Sequence, residues 1–239
     1  MRNRSRKNAC VLPLSIDHHP SSITSMKLLI ASRNPHKLAE IRAIFHLPGL
    51  EIAGAHEIAG LPEVIEDGQT FHANAVKKAV SLALLTKLWT LADDSGLEVE
   101  ALNGEPGVYS ARYAGEPANY AANNAKLLHL LENQERRAAR FICVVALSSP
   151  GGRAQIVEGI CQGRILHESC GEQGFGYDPL FVPDSYEQTF AQMDAALKNQ
   201  ISHRARALKL ALQTWSELLG QSAADWPPRR PKRKILEKD

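Results

Sequence analysis

"LADDSGLEV", residues 91–99, is the stretch from which the rest of the chain is read. Leu88, Trp89, Leu91 and Ala92 lead in, Leu97 and Val99 follow, and two adjacent carboxylates, Asp93 and Asp94, interrupt the apolar run. Ser95 and Gly96 permit a tight bend. The stretch therefore predicts two strands, 89–92 and 97–101, on either side of an acidic turn. Successive side chains on a strand point to opposite faces, so only one of the two acids can face a given cleft. The other is expected to bond nearby backbone and hold the turn. Hard oxygen donors with no histidine or cysteine beside them suit Mg²⁺, which keeps several waters and shares phosphate oxygens. One of these carboxylates together with Glu66 would make such a site.

Working outward, helical and strand periods alternate. Residues 27–32 form a short apolar run, read as a strand. Residues 35–46 have helical spacing, with Leu38, Ile41 and Phe45 on one face, and 70–88 repeat apolar residues at three and four. Residues 118–132 and 203–219 read as further helices. "RFICVVALSS" (140–149), the turn Pro150-Gly151-Gly152 and "AQIVEGICQGRI" (154–165) read as a β-hairpin. Helices interleaved with strands, plus one hairpin, predict an α/β fold with a mixed sheet.

Composition narrows the classes. The 239 residues fit one large domain or two lobes on a shared sheet, and 44% hydrophobic residues suffice for a sizeable core. A net charge of +2 does not call for nucleic acid or an acidic membrane. No apolar run approaches the roughly 18 residues of a membrane span. The four cysteines (Cys10, Cys143, Cys161, Cys170) lack metal-finger spacing and read as reduced thiols, as suits a cytoplasmic enzyme. Residues 1–25, basic at "MRNRSRK" and polar after it, are expected to be a disordered extension, or Met26 is the native start. Residues 26–220 form the domain, and 221–239, with "WPPRRPKRKILEKD", a basic Pro-rich tail.

Four other segments could carry chemistry. In "ASRNPHK" (31–37), Asn34 caps a helix with Pro35 at its first position. Free N–H groups there attract anions, although a capped helix with a surface lysine is the plainer reading. In "EDGQTFHANAVKKA" (66–79), Glu66 and Asp67 precede a turn and a helix starting near Thr70. Lys77 and Lys78 diverge by about 100°, so at most one points into a given site. In "GEQGFGYDPLF" (171–181), glycines flank Phe175, whose ring can stack on a base or cover the core. In "KNQISHRARAL" (198–208), Ser202 can cap a helix, which leaves His203 and Arg204 in its first turn. Cations there oppose the helix dipole unless something anionic is nearby.

Together with "ADDSGLEVEALNGEPGVYSARYAG", these segments follow an order and spacing that resembles the inosine triphosphate pyrophosphatases, also called dITP/XTP pyrophosphatases, from about Met26 to Leu219. The resemblance implies an elongated two-lobed α/β fold with a central twisted mixed sheet, flanking helices and an active-site cleft between the lobes. It also implies a homodimer and Mg²⁺-dependent hydrolysis of ITP, dITP and XTP to monophosphate and pyrophosphate. By the same resemblance, Ser32, Arg33, Asn34, Pro35, His36 and Lys37 match the triphosphate loop, where Arg33 and His36 stand in place of the glycines of T-G-N-x-G-K. Glu66 and Asp94 match the metal ligands, and Asp94 also the acid that takes a proton from water. Lys78 matches a phosphate-site lysine, and Ser95 lies beside the substrate. Phe175, Gly176, Tyr177 and Asp178 match the nucleoside loop, and Lys198, His203 and Arg204 the remaining contacts. Two alternatives stay open: a related Mg²⁺ pyrophosphatase acting on pyrimidine or modified nucleotides, and a non-catalytic nucleotide-binding module.

Overall fold

A strand that runs straight through its acids organises the molecule. The structure, a computed structural model, describes residues 26–219, so the expected extension (1–25) and tail (221–239) lie outside the described residues. The elements are β1 (Met26–Ile30), α1 (Pro35–Ile44), β2 (Leu50–Gly54), α2 (Phe71–Thr86), β3 (Trp89–Val99), α3 (Tyr120–Leu130), β4 (Ala138–Ser148), β5 (Ala154–Ile165), β6 (Phe181–Pro183), α4 (Ala195–Ile201) and α5 (His203–Leu219). One six-stranded sheet has the order β2-β1-β3-β4-β5-β6. β1 pairs in parallel with β2 and β3, and the remaining pairs are antiparallel. The mixed α/β architecture expected from the sequence is the one observed.

The acidic turn is not. β3 continues from Trp89 to Val99 and pairs with β4 through both acids, Asp93 opposite Val145 and Asp94 opposite Val144. Gly96 serves packing instead of a bend: a Cβ there would collide with Ser110 Oγ. The short β2, β6 and α4 carry too few residues for a periodic signal, and the sequence reading did not include them.

Alternation along β3 now assigns its side chains. Trp89 and Leu91 join β1, α1 and α5 in one core, with Phe45 and Trp215 fully buried. Leu97 and Val99 join a second core with Phe141, Phe181 and Phe190. Asp93 and Ser95 share the face of these residues and lie between the two cores. Ala92 faces the other way, into a third core under α2 with Phe71, Ala75 and Ala79, and Asp94 shares that direction. β1 pairs with β3 only as far as Leu91. The edge of β3 beyond it is left to the segment 31–37, and a cleft opens there. α5 is drawn close against β5, because Gly159 has no Cβ to collide with His203 O and Ala207 N. That contact places the start of α5 beside the middle of β3. Among the described residues no helix is long and apolar enough to cross a membrane.

Candidate active site

At the start of α1, Asn34 Oδ1 accepts from His36 N (2.9 Å) and Lys37 N (3.3 Å), and Pro35 is the first helical residue. The cap forms as read. Its consequence differs from the expectation, because two N–H groups offered to an anion are already met by the Asn34 side chain. The positive charge here comes from the Lys37 side chain.

One cleft of about 310 Å³ is lined by every residue that the resemblance matched to the site except Pro35 and His36. Its α5 side is a buried ion network. Lys37 Nζ lies 3.1 Å from Asp93 Oδ2. Arg204 Nε and an η nitrogen each lie 3.2 Å from the same oxygen, and Arg204 also donates to Ser95 Oγ at 2.8 Å and to Glu40. Lys198 joins Glu40 (3.0 Å) to Asp178 (2.6 Å). Burial alone would raise the Asp93 pKa, but Lys37 and Arg204 hold it well below the carboxylate range. Burial would raise Glu40 as well, and Arg204 and Lys198 pull it down. Asp93 is thus an anchor for cations, not the holder of a turn. His203 is pushed well below the usual histidine pKa by burial and by Arg204 and Lys198. It is therefore a neutral ring at pH 7, stacked 4.5 Å from Phe141, and not the cation the sequence suggested. Arg204 opposes the α5 dipole, and Glu40 and Asp93 compensate it.

The α2 side is less balanced. Lys78 Nζ donates to Asp93 O at 2.7 Å, lies 2.9 Å from Glu66 Oε1 and 3.9 Å from Asp94 Oδ1. Lys77 points away to Asp67 (2.6 Å), as the helical angle requires. Asp94 Oδ1 accepts from Ser95 N at 3.0 Å, and buried Oδ2 has no partner. Burial raises the Asp94 pKa to about 6, against the pull of Lys78 and Lys37. Among the described residues no three His, Cys, Asp or Glu side chains gather into a metal cage. Glu66 and Asp94 are the two carboxylates that could share a hard cation with phosphate oxygens, and the unpartnered Asp94 Oδ2 fits such a ligand.

The far wall is the Phe175 loop. Asp178 Oδ2 accepts from Phe175 N at 2.8 Å, and Gly176 O accepts from Asn124 Nδ2 at 3.1 Å. The Phe175 ring lies 5.2 Å from His36 at 17°, with Lys198 and Arg204 within 6 Å of its centroid. An aromatic plate, a group of cations and an under-neutralised carboxylate pair thus share one cleft.

The sequence model of the Ham1 family matches residues 28–214. The chain belongs to the Ham1 family. A curated relative from Desulforamulus reducens, named dITP/XTP pyrophosphatase, is 52% identical over 195 residues, 81% of this chain and 97% of its own. One of the same name from Shouchella clausii is 47% identical, over 79% of this chain and 96% of its own. The solved Ham1 protein of Staphylococcus aureus is 41% identical with a TM-score of 0.74, over 80% of this chain and 99% of its own. The nucleoside-triphosphatase / dITP/XTP pyrophosphatase of Mycobacterium abscessus is 43% identical with a TM-score of 0.65, over 78% and 99%.

The sequence reading of this Ham1 site did not include Glu40, which backs the cleft, or Tyr120 and Arg112, which line it. Glu40 lies three positions after Lys37 on α1, and that spacing puts both on one helix face, a signal that was available. Tyr120, which lies 6.2 Å from Phe175 and 3.5 Å from Asn34 Nδ2, had no local signal. Arg112 had none either, and it donates to Glu66 O at 3.0 Å.

Proposed function

We infer that this Ham1 protein hydrolyses non-standard purine nucleoside triphosphates, dITP, XTP and ITP, to the monophosphate and pyrophosphate, and so clears deaminated purines from the nucleotide pool. The observation that carries the reading is the single cleft in which the Asp94–Glu66 pair lies opposite the Phe175 plate. The names of the curated relatives point to the same reaction.

We propose Mg²⁺ as the cation, held by Glu66 and Asp94 with phosphate oxygens; when bound it withdraws charge from the α-phosphorus and neutralises the departing pyrophosphate. Asp94 orients a water or takes its proton, and burial raises its carboxyl to about 6 in the metal-free protein. Lys37, Lys78 and Lys198 spread the remaining phosphate charge in a site partly shielded from water. No covalent intermediate is called for. Ser95 Oγ donates to Asp93 at 3.2 Å and accepts from Arg204, and Asp93, held at low pKa, is a poor base.

Base choice follows from hydrogen bonding. Hypoxanthine and xanthine carry an oxygen at position 6 where adenine carries an amino group. Donors from His203, Arg204 or backbone pair with that oxygen and are left unpaired by adenine. A buried polar site can reject such a mismatch by about 10⁴–10⁵. A homodimer acting in the cytoplasm, without a membrane or a specific nucleic-acid partner, completes the proposal, and light scattering on the purified chain tests the dimer.

The test of function is product identity. The protein is incubated with Mg²⁺ and ITP, XTP, dITP, ATP, GTP or dTTP, and phosphate is separated from pyrophosphate. Pyrophosphate from ITP, XTP and dITP with little from ATP is expected. Orthophosphate, or preference for dTTP, would overturn the reading.

A further inference from the structure

Asn74 is 1% exposed, and neither the catalytic nor the binding assignments above use it. It lies on α2 one turn before Lys78, so the two share a helix face. Lys78 bridges Glu66 and Asp94. Asn74 reaches the loop that carries Glu66. Its Oδ1 accepts from Gly68 N at 2.8 Å, which closes the end of the Glu66–Gly68 loop onto the helix. Its Nδ2 is buried without a partner, as is Asp94 Oδ2. An unpaired polar atom in the interior costs about 1–3 kcal/mol, and an apolar residue would avoid that cost. Gly68 is fitted to this contact: a Cβ there would lie 2.6 Å from Asn74 Oδ1.

We propose that Asn74 is a positioning residue of the reaction, one that pins the Glu66–Gly68 loop to α2 one turn before Lys78 and so holds Glu66 within reach of a divalent cation shared with Asp94. The proposal rests on the Mg²⁺-dependent reading above. Asn74 touches neither substrate nor reacting atoms in this scheme. The amide oxygen sets the loop, and loss of that bond lets Glu66 drift from Asp94.

The test uses the full chain as wild type, Asn74→Leu and Gly68→Ala. Gly68 is not in the left-handed region, so alanine there strains only the contacts with Asn74 and Ala73. Binding of Mn²⁺ alone is followed by the EPR signal of the free ion, and dITP turnover is followed against Mg²⁺ concentration. In Asn74→Leu, the Mn²⁺ Kd and the half-saturating Mg²⁺ concentration are expected to rise about tenfold with a fall in kcat. The dITP KM at saturating Mg²⁺ should stay within about threefold. Gly68→Ala should shift the same quantities less. A residue that only supports the fold would lower Tm and leave the metal dependence alone, and that outcome, or unchanged Kd and kcat, overturns the proposal. If Asn74→Leu does not fold, Gly68→Ala decides by the same criteria. Should the wild type fail to turn over dITP, the functional reading falls, and the Mn²⁺ comparison still decides the role of Asn74.

Discussion

Asp93 and Asp94 are neighbours on β3, yet they turn into different surroundings. Asp93 faces α5, where Lys37, Lys198 and Arg204 meet Glu40, Asp93 and Asp178, three cations against three carboxylates. Asp94 faces α2, where Glu66 and Asp94 share Lys78, a trio with one net negative charge. The first side is a finished framework that can hold Arg204 and Lys198 rigid. The second is an unfinished one, suited to a cation brought by the substrate. Opposite pKa directions follow from the same difference: Asp93 is held low by its partners, while burial takes Asp94 up to about 6.

The comparison breaks most sharply at Asp94. Asp94→Asn should reduce turnover by about 10²–10⁴ while the nucleotide still binds. A raised pKa means that the ionised carboxylate opposes folding above about pH 6, so its contribution to stability is present at low pH and lost as pH rises. The metal-free variant should therefore be more stable than wild type at pH 8, by about 1–3 kcal/mol. Steady-state kinetics and calorimetry check the two halves, and full turnover would remove Asp94 from the reaction.

Asp93→Asn should do the reverse. The depressed pKa means its stabilisation is present at neutral pH and lost only in acid. Removing the charge leaves Lys37 and Arg204 buried without their partner. Destabilisation of about 3–5 kcal/mol is expected in denaturant unfolding, and wild-type stability would refute the balanced-network account.

A pH profile sharpens the contrast without mutation. The Kd for Mn²⁺ should rise about tenfold per unit below about pH 6, where Asp94 of the metal-free protein takes up a proton that the ion must displace, and stay level just above it. A weakening that begins only near pH 4 would mean that burial does not raise the Asp94 carboxyl. The smallest effect is expected at the rim. His36→Gly removes a stack on Phe175 worth about 0.5–1.5 kcal/mol, so the nucleotide KM should rise by about tenfold or less, with kcat unchanged.

Much of this was legible locally. The helix caps at Asn34, Thr70 and Ser202 stand where the side-chain types put them. Lys78 turns inward and Lys77 outward as the helical angle demands. The misreading at Ser95-Gly96 has a definite cause. Glycine permits a bend and also permits close approach, and only the position of Ser110 shows which use applies. The charge of His203 was misjudged for a related reason, because desolvation by packing cannot be seen in a first-turn position.

By itself the sequence determined the periods, the caps and the alternation that separates Asp93 from Asp94, since these rules act within one or two turns of chain. Tertiary structure alone decided that Arg204, 111 residues from Asp93, would be its partner, and that Glu40 would meet both Arg204 and Lys198. A buried ion pair depends on which elements the cores press together, here α5 against β5 at Gly159, and no local pattern encodes that distance.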